Sequence, residues 1–391
     1  MKKSNIDPWL IGAVLILVLI GTVMIYSASS AWAQAKFVDA SFFFRRQVVR
    51  VIVGLGLMCL VMKIDYHWYR SRPFFVPFFF GALGLLIYVI LSNDIQEIRG
   101  SARWISISDL SLQPSEYMKY ALILYMADAI ERKQSRLDSF WNGYVPLVSV
   151  LVISEILILL EPDLGTAITI GMIVFCMFFV GRVKIWHLTV SLVLALATVY
   201  VTVKTTPYQL RRVLVYLNPD IDPLGGGYQI KQSLISLGNG GILGQGLGKS
   251  TQKLLYLPEP YTDFIFSILG EELGFIGTLL VTALFLIILW RGIKIARNAP
   301  DMFGSLLTVG LVSSIVICAM TNIAVVINLI PTTGLPLPFI SYGGNSLLFS
   351  LMGAGIIFNI SSRTVPDELM PKTPPFIVAQ LRKEGKRFQF N

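Results

Sequence analysis

The sequence predicts an all-α fold: a polytopic membrane helix bundle of ten transmembrane helices, with a large extracellular loop between spans 7 and 8. Three observations predict it. Of 391 residues, 54% are hydrophobic and 14% charged, against roughly 25% charged in soluble domains. Apolar runs of roughly 20 residues, enough to cross a bilayer core, recur along the chain. Lys and Arg are also segregated between alternate connecting segments.

The first run, "LIGAVLILVLIGTVMIYSASSAWA", follows Lys2 and Lys3 and ends like a signal-cleavage site. It exceeds the roughly 7–15 residues of a signal h-region and reads as a retained span over about 10–30. Further spans fall near 44–62, 74–92, 113–131, 144–160, 165–181, 185–204, 264–290, 302–329 and 342–361. Only "EPDLGT" divides the fifth from the sixth. No internal repeat or low-complexity tract is visible. Residues 1–361 read as one transmembrane domain and 362–391 as a basic cytoplasmic tail. Cys59, Cys176 and Cys318 each sit in an apolar run without metal spacing, which suits small core residues.

With the N-terminus inside, the inner segments hold 19 Lys and Arg and the short outer segments 6. Long loops are discounted in such a count, so both termini face the cytoplasm. The net charge of +9 then reflects this bias and contact with anionic membrane lipids rather than nucleic acid. The inner loops are short and carry no nucleotide-binding signature, which argues against an ATP-driven pump. The polar pieces gather on the outer face: "NDIQEIRGSARWISISDLSLQPSE", the loop 205–262 and "IPTTGLPLPFISYGG".

Several outer residues raise specific questions. In "QPSEYMKYA", Glu116 and Lys119 share a helix face. They read equally well as a self-neutralising pair and as a cation lining an outward cavity that receives an anion. In "EPDLGTA", Asp163 fits a helix cap or the same cavity. Within the long loop, "QLRRVLVYLNP" and "YQIKQSLISL" look like amphipathic helices. "GNGGILGQGLGKS" resembles a phosphate cradle but lacks P-loop spacing. The loop cations Arg211, Arg212, Lys231, Lys249 and Lys253 suit a phosphate-bearing ligand or lipid headgroups. In "YLPEPYTDFIFSILGEELGFIG", Thr262 or Asp263 is placed to cap a helix starting at Phe264, which leaves Glu259, Glu271 and Glu272 unexplained. The only histidines, His67 and His187, lie at cytoplasmic edges, so no metal or triad reading holds. Acid–base chemistry on the outer face must use carboxylates.

In order along nearly the whole chain, "GSARWI", "QPSEYMKYA", "EPDLGTA", "GYQIKQSLISLGNGGILGQGLGKSTQKLLYLPEPYTDFIFSILGEELGFIG" and "PTTGLPLPFISYGGNSL" resemble motifs of the SEDS family, the FtsW, RodA and SpoVE membrane peptidoglycan glycosyltransferases. "GQGLGKSTQKLLYLPEP" and the "GIIFNIS" ending lean toward the FtsW and SpoVE branch. Leu255 stands where some FtsW chains carry an acid, and Asn345 where the family usually has serine. The resemblance implies an outward cavity that binds lipid II and polymerises it by inverting β-1,4 transfer, releasing undecaprenyl diphosphate, in division, elongation or sporulation. It implies Asp263 as catalytic base. It also implies substrate contacts from Arg103 and Trp104, the Glu116–Lys119 pair, Asp163, Glu259, Thr262 and Ser341. No protein-bound metal is implied; basic residues, with or without a divalent cation (Mg or Mn), would offset the diphosphate charge. A class B penicillin-binding protein and other divisome or elongasome proteins are the implied partners, and the bacterial cytoplasmic (inner) membrane the location. A lipid II flippase is the alternative reading, and a purely structural scaffold a third.

Overall fold

The computed structural model describes residues 6–92, 104–107, 110–254 and 256–364. Its helices are α1 (Pro8–Phe37), α2 (Phe42–Lys63), α3 (Arg72–Leu91), α4 (Pro114–Arg132), α5 (Val145–Leu160), α6 (Leu164–Val180), α7 (Ile185–Thr205), α8 (Pro207–Leu217), α9 (Gly226–Gly240), α10 (Ile265–Arg297), α11 (Met302–Val326) and α12 (Gly344–Ser361). Ten of these, all but α8 and α9, have 16 residues or more and fall on the ten segments that the sequence marks as spans. Among the described residues, seven helical segments are long and apolar enough to cross a membrane, and α6 is a shorter apolar helix. α2 and α4 are less apolar because α2 carries Arg45, Arg46 and Arg50, and α4 carries Glu116, Lys119 and Asp128. The chain is a multi-pass membrane protein. The all-α expectation holds for the bundle, to which the described residues add one short hairpin: Ile105–Ile107 (β1) pairs antiparallel with Leu110–Leu112 (β2), Ile105 opposite Leu112.

Local chemistry sets the helix ends. Asp7 caps α1, accepting the Leu10 amide at 3.2 Å, with Pro8 in the first turn. Proline also opens α4, where its missing N–H costs nothing. Asp301 caps α11 through the Gly304 amide at 2.7 Å. α10 departs from expectation. It begins at Ile265, with Phe264 in the cap position and no side-chain cap. The Thr262 hydroxyl donates instead to the Glu259 carbonyl at 2.9 Å.

α12 packs along α2 in parallel register. A Cβ on Gly54 would lie 2.5 Å from Leu351 Cδ1, and one on Gly355 would lie 2.6 Å from the Met58 carbonyl oxygen. One turn further on, Asn359 donates to the Met62 carbonyl at 2.7 Å. α10 packs against α1, α9 and α11.

Within α10 the helix breaks at Gly274, at φ 68° and ψ −166°. The carbonyls of Glu271 and Glu272 accept from the amides of Gln245 (2.9 Å) and Gly246 (3.0 Å). The amides of Phe275 and Ile276 donate to Gly241 (2.9 Å) and Ile242 (3.2 Å). The segment after α9 therefore supplies hydrogen bonds that the broken helix lacks. An unpaired backbone group in a membrane interior costs several kcal/mol, so this exchange makes the break tolerable. It requires glycine: a Cβ on Gly274 would stand 2.3 Å from the Gly244 nitrogen, and one on Gly244 2.2 Å from the Glu272 oxygen. The run "GNGGILGQGLGKS" thus serves α10 through its own backbone.

Candidate active site

The turn ahead of α10 is built from Glu259 to Phe264. Glu259 is a non-glycine residue at φ 45°, a left-handed conformation that costs energy and concentrates at functional sites. Its carbonyl takes both the amide (3.2 Å) and the hydroxyl of Thr262. This holds Asp263 half-buried just ahead of α10.

The α11–α12 connection runs alongside. Asn322 of α11 donates through Nδ2 to the carbonyls of both Asp263 and Leu335, each at 2.8 Å. Ser341 donates to the Thr262 carbonyl at 2.7 Å and accepts from the Leu337 amide at 2.8 Å. The Tyr342 amide donates to the Tyr261 carbonyl at 2.9 Å. The Tyr261 ring lies 4.5 Å from that of Phe43 and 5.7 Å from that of Tyr342, an aromatic layer under the turn. An Asp263 carboxylate oxygen sits 3.9 Å from where a Gly334 Cβ would project. Gly334 is at φ 79°, a backbone that favours glycine, so the loop can pass close to the acid.

Two further supports reach this loop. Arg212 of α8 donates to the Thr332 carbonyl at 2.9 Å. A Cβ on Gly165, at the start of α6, would lie 2.8 Å from the Thr333 carbonyl oxygen. Beside it Asp163 caps α6, accepting the Thr166 amide at 3.4 Å, and ties in α4 through Gln113 (3.2 Å) and Ser115 (3.3 Å). Thr262, Asp263, Glu259 and Ser341 therefore come together in one turn and its facing loop, and Asp163 joins them through Gly165 and Thr333.

Other predicted residues stand elsewhere. Lys119 and Glu116 form a buried ion pair with both oxygens, at 2.8 and 2.9 Å, each side chain 4% exposed. That is the self-neutralising arrangement, packed against Cys318 at 3.9 Å. Trp104 is half-buried at the start of β1, and Arg103 lies outside the described residues. Among the described residues no group of three His, Cys, Asp or Glu is arranged to hold a metal ion. An apolar crevice of about 480 Å³ lies between α3, α4 and α12, lined by Gly81, Gly84, Leu85, Leu112, Tyr117 and Phe349.

Glu271 and Glu272 receive a structural account. Glu271 accepts from the hydroxyls of Ser250, Thr251 (2.9 Å) and Ser236 (3.1 Å) and from the amides of Thr251 (3.1 Å) and Gln252 (3.4 Å). Glu272 pairs with Lys253 at 2.9 Å, and Ser27 of α1 donates to the same oxygen at 2.6 Å. The loop cations are largely engaged within the chain: Lys253 on Glu272, Arg211 on Asp222 (3.0 Å), Lys231 on Asp220, and Arg212 on Thr332. Asn322 escaped sequence reasoning. A single amide side chain inside an apolar run was its only signal.

The fold and site define a polytopic helical membrane protein with a carboxylate at the head of a broken helix, held by the loop that leads into its last helix. A family model described as a cell cycle protein and covering FtsW, RodA and SpoVE matches residues 8–365, and the chain belongs to this family. It is 44% identical over 362 residues to stage V sporulation protein E of Bacillus subtilis, covering 92% of this chain and 98% of that one. It is 43% identical over 343 residues to a probable peptidoglycan glycosyltransferase FtsW of Geobacter sulfurreducens, covering 88% and 91%. Among solved structures it resembles a chain of a peptidoglycan synthase complex studied for its coordination of polymerization and crosslinking, with TM-score 0.74 and 28% identity over 93% of this chain and 99% of that one. It also resembles the rod shape determining protein RodA of Thermus thermophilus, with TM-score 0.66 and 26% identity over 93% and 98%.

Proposed function

We propose that this chain is a peptidoglycan glycosyltransferase that polymerises lipid II into glycan strands. The observation that carries the reading is Asp263: a half-buried carboxylate, fixed through its own backbone carbonyl by Asn322, beside a glycine of the facing loop. Inverting transfer needs one base. The Asp263 carboxylate takes the proton from the acceptor's GlcNAc 4-hydroxyl as that oxygen bonds to the donor's anomeric carbon. The bond from that carbon to the diphosphate breaks on the opposite face, and undecaprenyl diphosphate leaves with the electron pair. General-base help of this kind is worth roughly 10²–10⁴ in rate. Among the described residues no group of three His, Cys, Asp or Glu is arranged to hold a divalent cation; Mg or Mn would act on the diphosphate itself.

The same reading takes the ten long helices as ten spans in the bacterial cytoplasmic membrane, with both termini inside and Asp263 at the outer surface. It assigns a class B penicillin-binding protein as partner, because the chain resembles, at TM-score 0.74, a chain of a peptidoglycan synthase complex studied for its coordination of polymerization and crosslinking. Incubating the purified full-length chain with purified lipid II separates this function from its rivals. Glycan polymer is the expected product. Translocation of lipid II across vesicles without polymer would favour the flippase, and neither activity would leave a scaffold.

A further inference from the structure

α9 and α10 run side by side in the same direction. Ser233 of α9 meets Ser267 at 2.7 Å. Three residues on, Ser236 Oγ lies 3.0 Å from the Ser267 carbonyl oxygen and 3.1 Å from the Glu271 carboxylate. At the end of α9, a Cβ on Gly240 would stand 1.9 Å from the Gly270 carbonyl oxygen. There the chain reverses. The carbonyls of Gly241 and Ile242 accept from the amides of Phe275 and Ile276, and the amides of Gln245 and Gly246 donate back to Glu271 and Glu272. Ser250 and Thr251 follow on the Glu271 carboxylate, and Lys253 on that of Glu272. α9 and the segment after it are thus the two arms of a hairpin laid along the first turns of α10, and residues 241–247 are its tip.

α10 also gives the depth of that tip. Far along it stand Trp290, which is exposed, and Arg291, whose Nε donates to Asp7 at 2.7 Å. A tryptophan followed by an arginine at the end of an apolar run marks a membrane boundary. At a rise of about 1.5 Å per residue, the helix from Gly274 to Trp290 spans roughly 24 Å. The hydrocarbon core is roughly 30 Å thick, so the backbone bonds at Phe275 and Ile276 hold the tip roughly 6 Å inside the opposite boundary. Irregular backbone at such a depth needs partners for its polar groups, and this one finds them in α10. The Gln245 side chain is spent within the hairpin, donating to the Asn239 carbonyl at 2.7 Å. The apolar side chains are left uncovered: Ile242 is 71% exposed, Leu243 78%, and Leu247 is exposed as well. Phe275 and Ile276, bonded to the tip, and Leu279, one turn further on, are exposed apolar residues too. Lys249 is exposed beside Ser250, at the level of Glu271, where a long cationic side chain reaches headgroups.

We propose that residues 241–247 form a re-entrant tip that inserts Ile242, Leu243 and Leu247 among the acyl chains of the nearer leaflet and so anchors the long loop to the bilayer. The occupant of this surface is lipid, because the surface lies at hydrocarbon depth and continues the face that α10 shows the membrane. Burial of roughly 5–10 Å is what an interfacial apolar anchor achieves. The proposal rests on the chain being a membrane protein and not on the role of Asp263, from which Gly274 lies roughly 15 Å further along α10, so either reading can fail alone.

The test reconstitutes the unmodified full-length chain in vesicles of phosphatidylglycerol and phosphatidylethanolamine that include a phospholipid with a diazirine in the upper half of its acyl chain. Illumination joins that acyl chain to whatever it touches, and peptide mass spectrometry locates the adducts. Leu279 serves as the lipid-facing standard. Leu224, 94% exposed, serves as the water-facing one, since it precedes α9 at the far end of the hairpin, roughly 20 Å from the tip. Adducts on 241–247 should match those around Leu279, with none around Leu224. A second measurement uses a chain with Cys59, Cys176 and Cys318 replaced by alanine. A nitroxide attached through Leu243→Cys should collide more often with oxygen than with a water-soluble nickel chelate, and one attached through Leu224→Cys the reverse. If the alanine-substituted chain does not fold, the adduct map of the unmodified chain decides. Adducts around Leu279 without any on 241–247 overturn the proposal. So does a nitroxide at Leu243→Cys that favours the nickel chelate, which puts the tip in water, or one that meets neither reagent, which buries it under a second copy or another chain.

Discussion

Lys119 is a buried cation whose charge is matched by a single neighbour, and its two readings can be separated by what happens when that neighbour is also removed. Breaking a buried ion pair on one side costs roughly 3–5 kcal/mol because the other charge is stranded. Lys119→Met should therefore lower thermal stability sharply in detergent, and adding Glu116→Gln should restore most of it. Glycan synthesis by the stabilised double variant then reports on the site: reduced synthesis places the pair in it, and full activity removes it. The sequence made both residues visible, as charges in an apolar helix, but it could not show that they neutralise one another completely. Asn322 is the opposite case. It holds Asp263 and Leu335 together through one side-chain nitrogen, and nothing in its neighbourhood of sequence points to a partner 59 residues away. Asn322→Ala should cost roughly 1–3 kcal/mol and lower polymerisation while the chain still inserts, because Asp263 loses its anchor. Unchanged turnover by Asn322→Ala would show that the turn positions the acid unaided.

At the scale of elements, helix positions followed from apolar run length, and most boundaries differ by one to three residues; α1 and α10 run on to Phe37 and Arg297, beyond the apolar runs read as ending near 30 and 290. The break in α10 was not legible. Gly274 in "EELGFIG" has no proline beside it to announce a kink, and the compensating hydrogen bonds come from a segment some thirty residues earlier. The same interlock explains why two glutamates sit in an apolar span: one ties down Ser236, Ser250 and Thr251, the other meets Lys253. Gly274→Ala should lower yield and melting temperature strongly, since a Cβ there meets backbone and the φ is left-handed. Gly238→Ala in α9, where a Cβ meets nothing within 4 Å, should be neutral or stabilising by up to about 1 kcal/mol. Equal melting of the two variants would contradict the interlock. At the opposite end, burial pushes the Asp65 carboxyl up, but the His67 amide and Arg363 together hold it down at about 2. A depressed carboxyl contributes stability in full above its ordinary value of 3.8 and loses it as pH falls toward about 2. Wild type should therefore lose melting temperature more steeply than Asp65→Asn between those values. Parallel curves would remove this clamp from the stability account.

On the scale of the whole molecule, composition and charge segregation were sufficient for a membrane bundle, and ordered motifs for its family. Side-chain registry was beyond them: that α12 lies level with α2, Gly54 against Leu351 and Gly355 against Met58, emerges only in the folded chain. The partner assignment belongs at this scale too. Co-purification from membranes should recover a single-span transpeptidase, and recovery of the chain without one under mild detergent would count against it. The central claim rests on Asp263 acting as a base. The turn in which it stands is held by Asn322, Ser341 and Tyr342 through backbone carbonyls, and Phe264 rather than an acid occupies the cap of α10. Replacing the carboxylate by an amide of the same shape should then leave the fold nearly untouched. The decisive measurement is glycan polymer formed from purified lipid II by wild type and by Asp263→Asn, each shown to insert and melt alike. The account predicts polymer from wild type and none from Asp263→Asn; polymerisation by Asp263→Asn at near wild-type rate would contradict it.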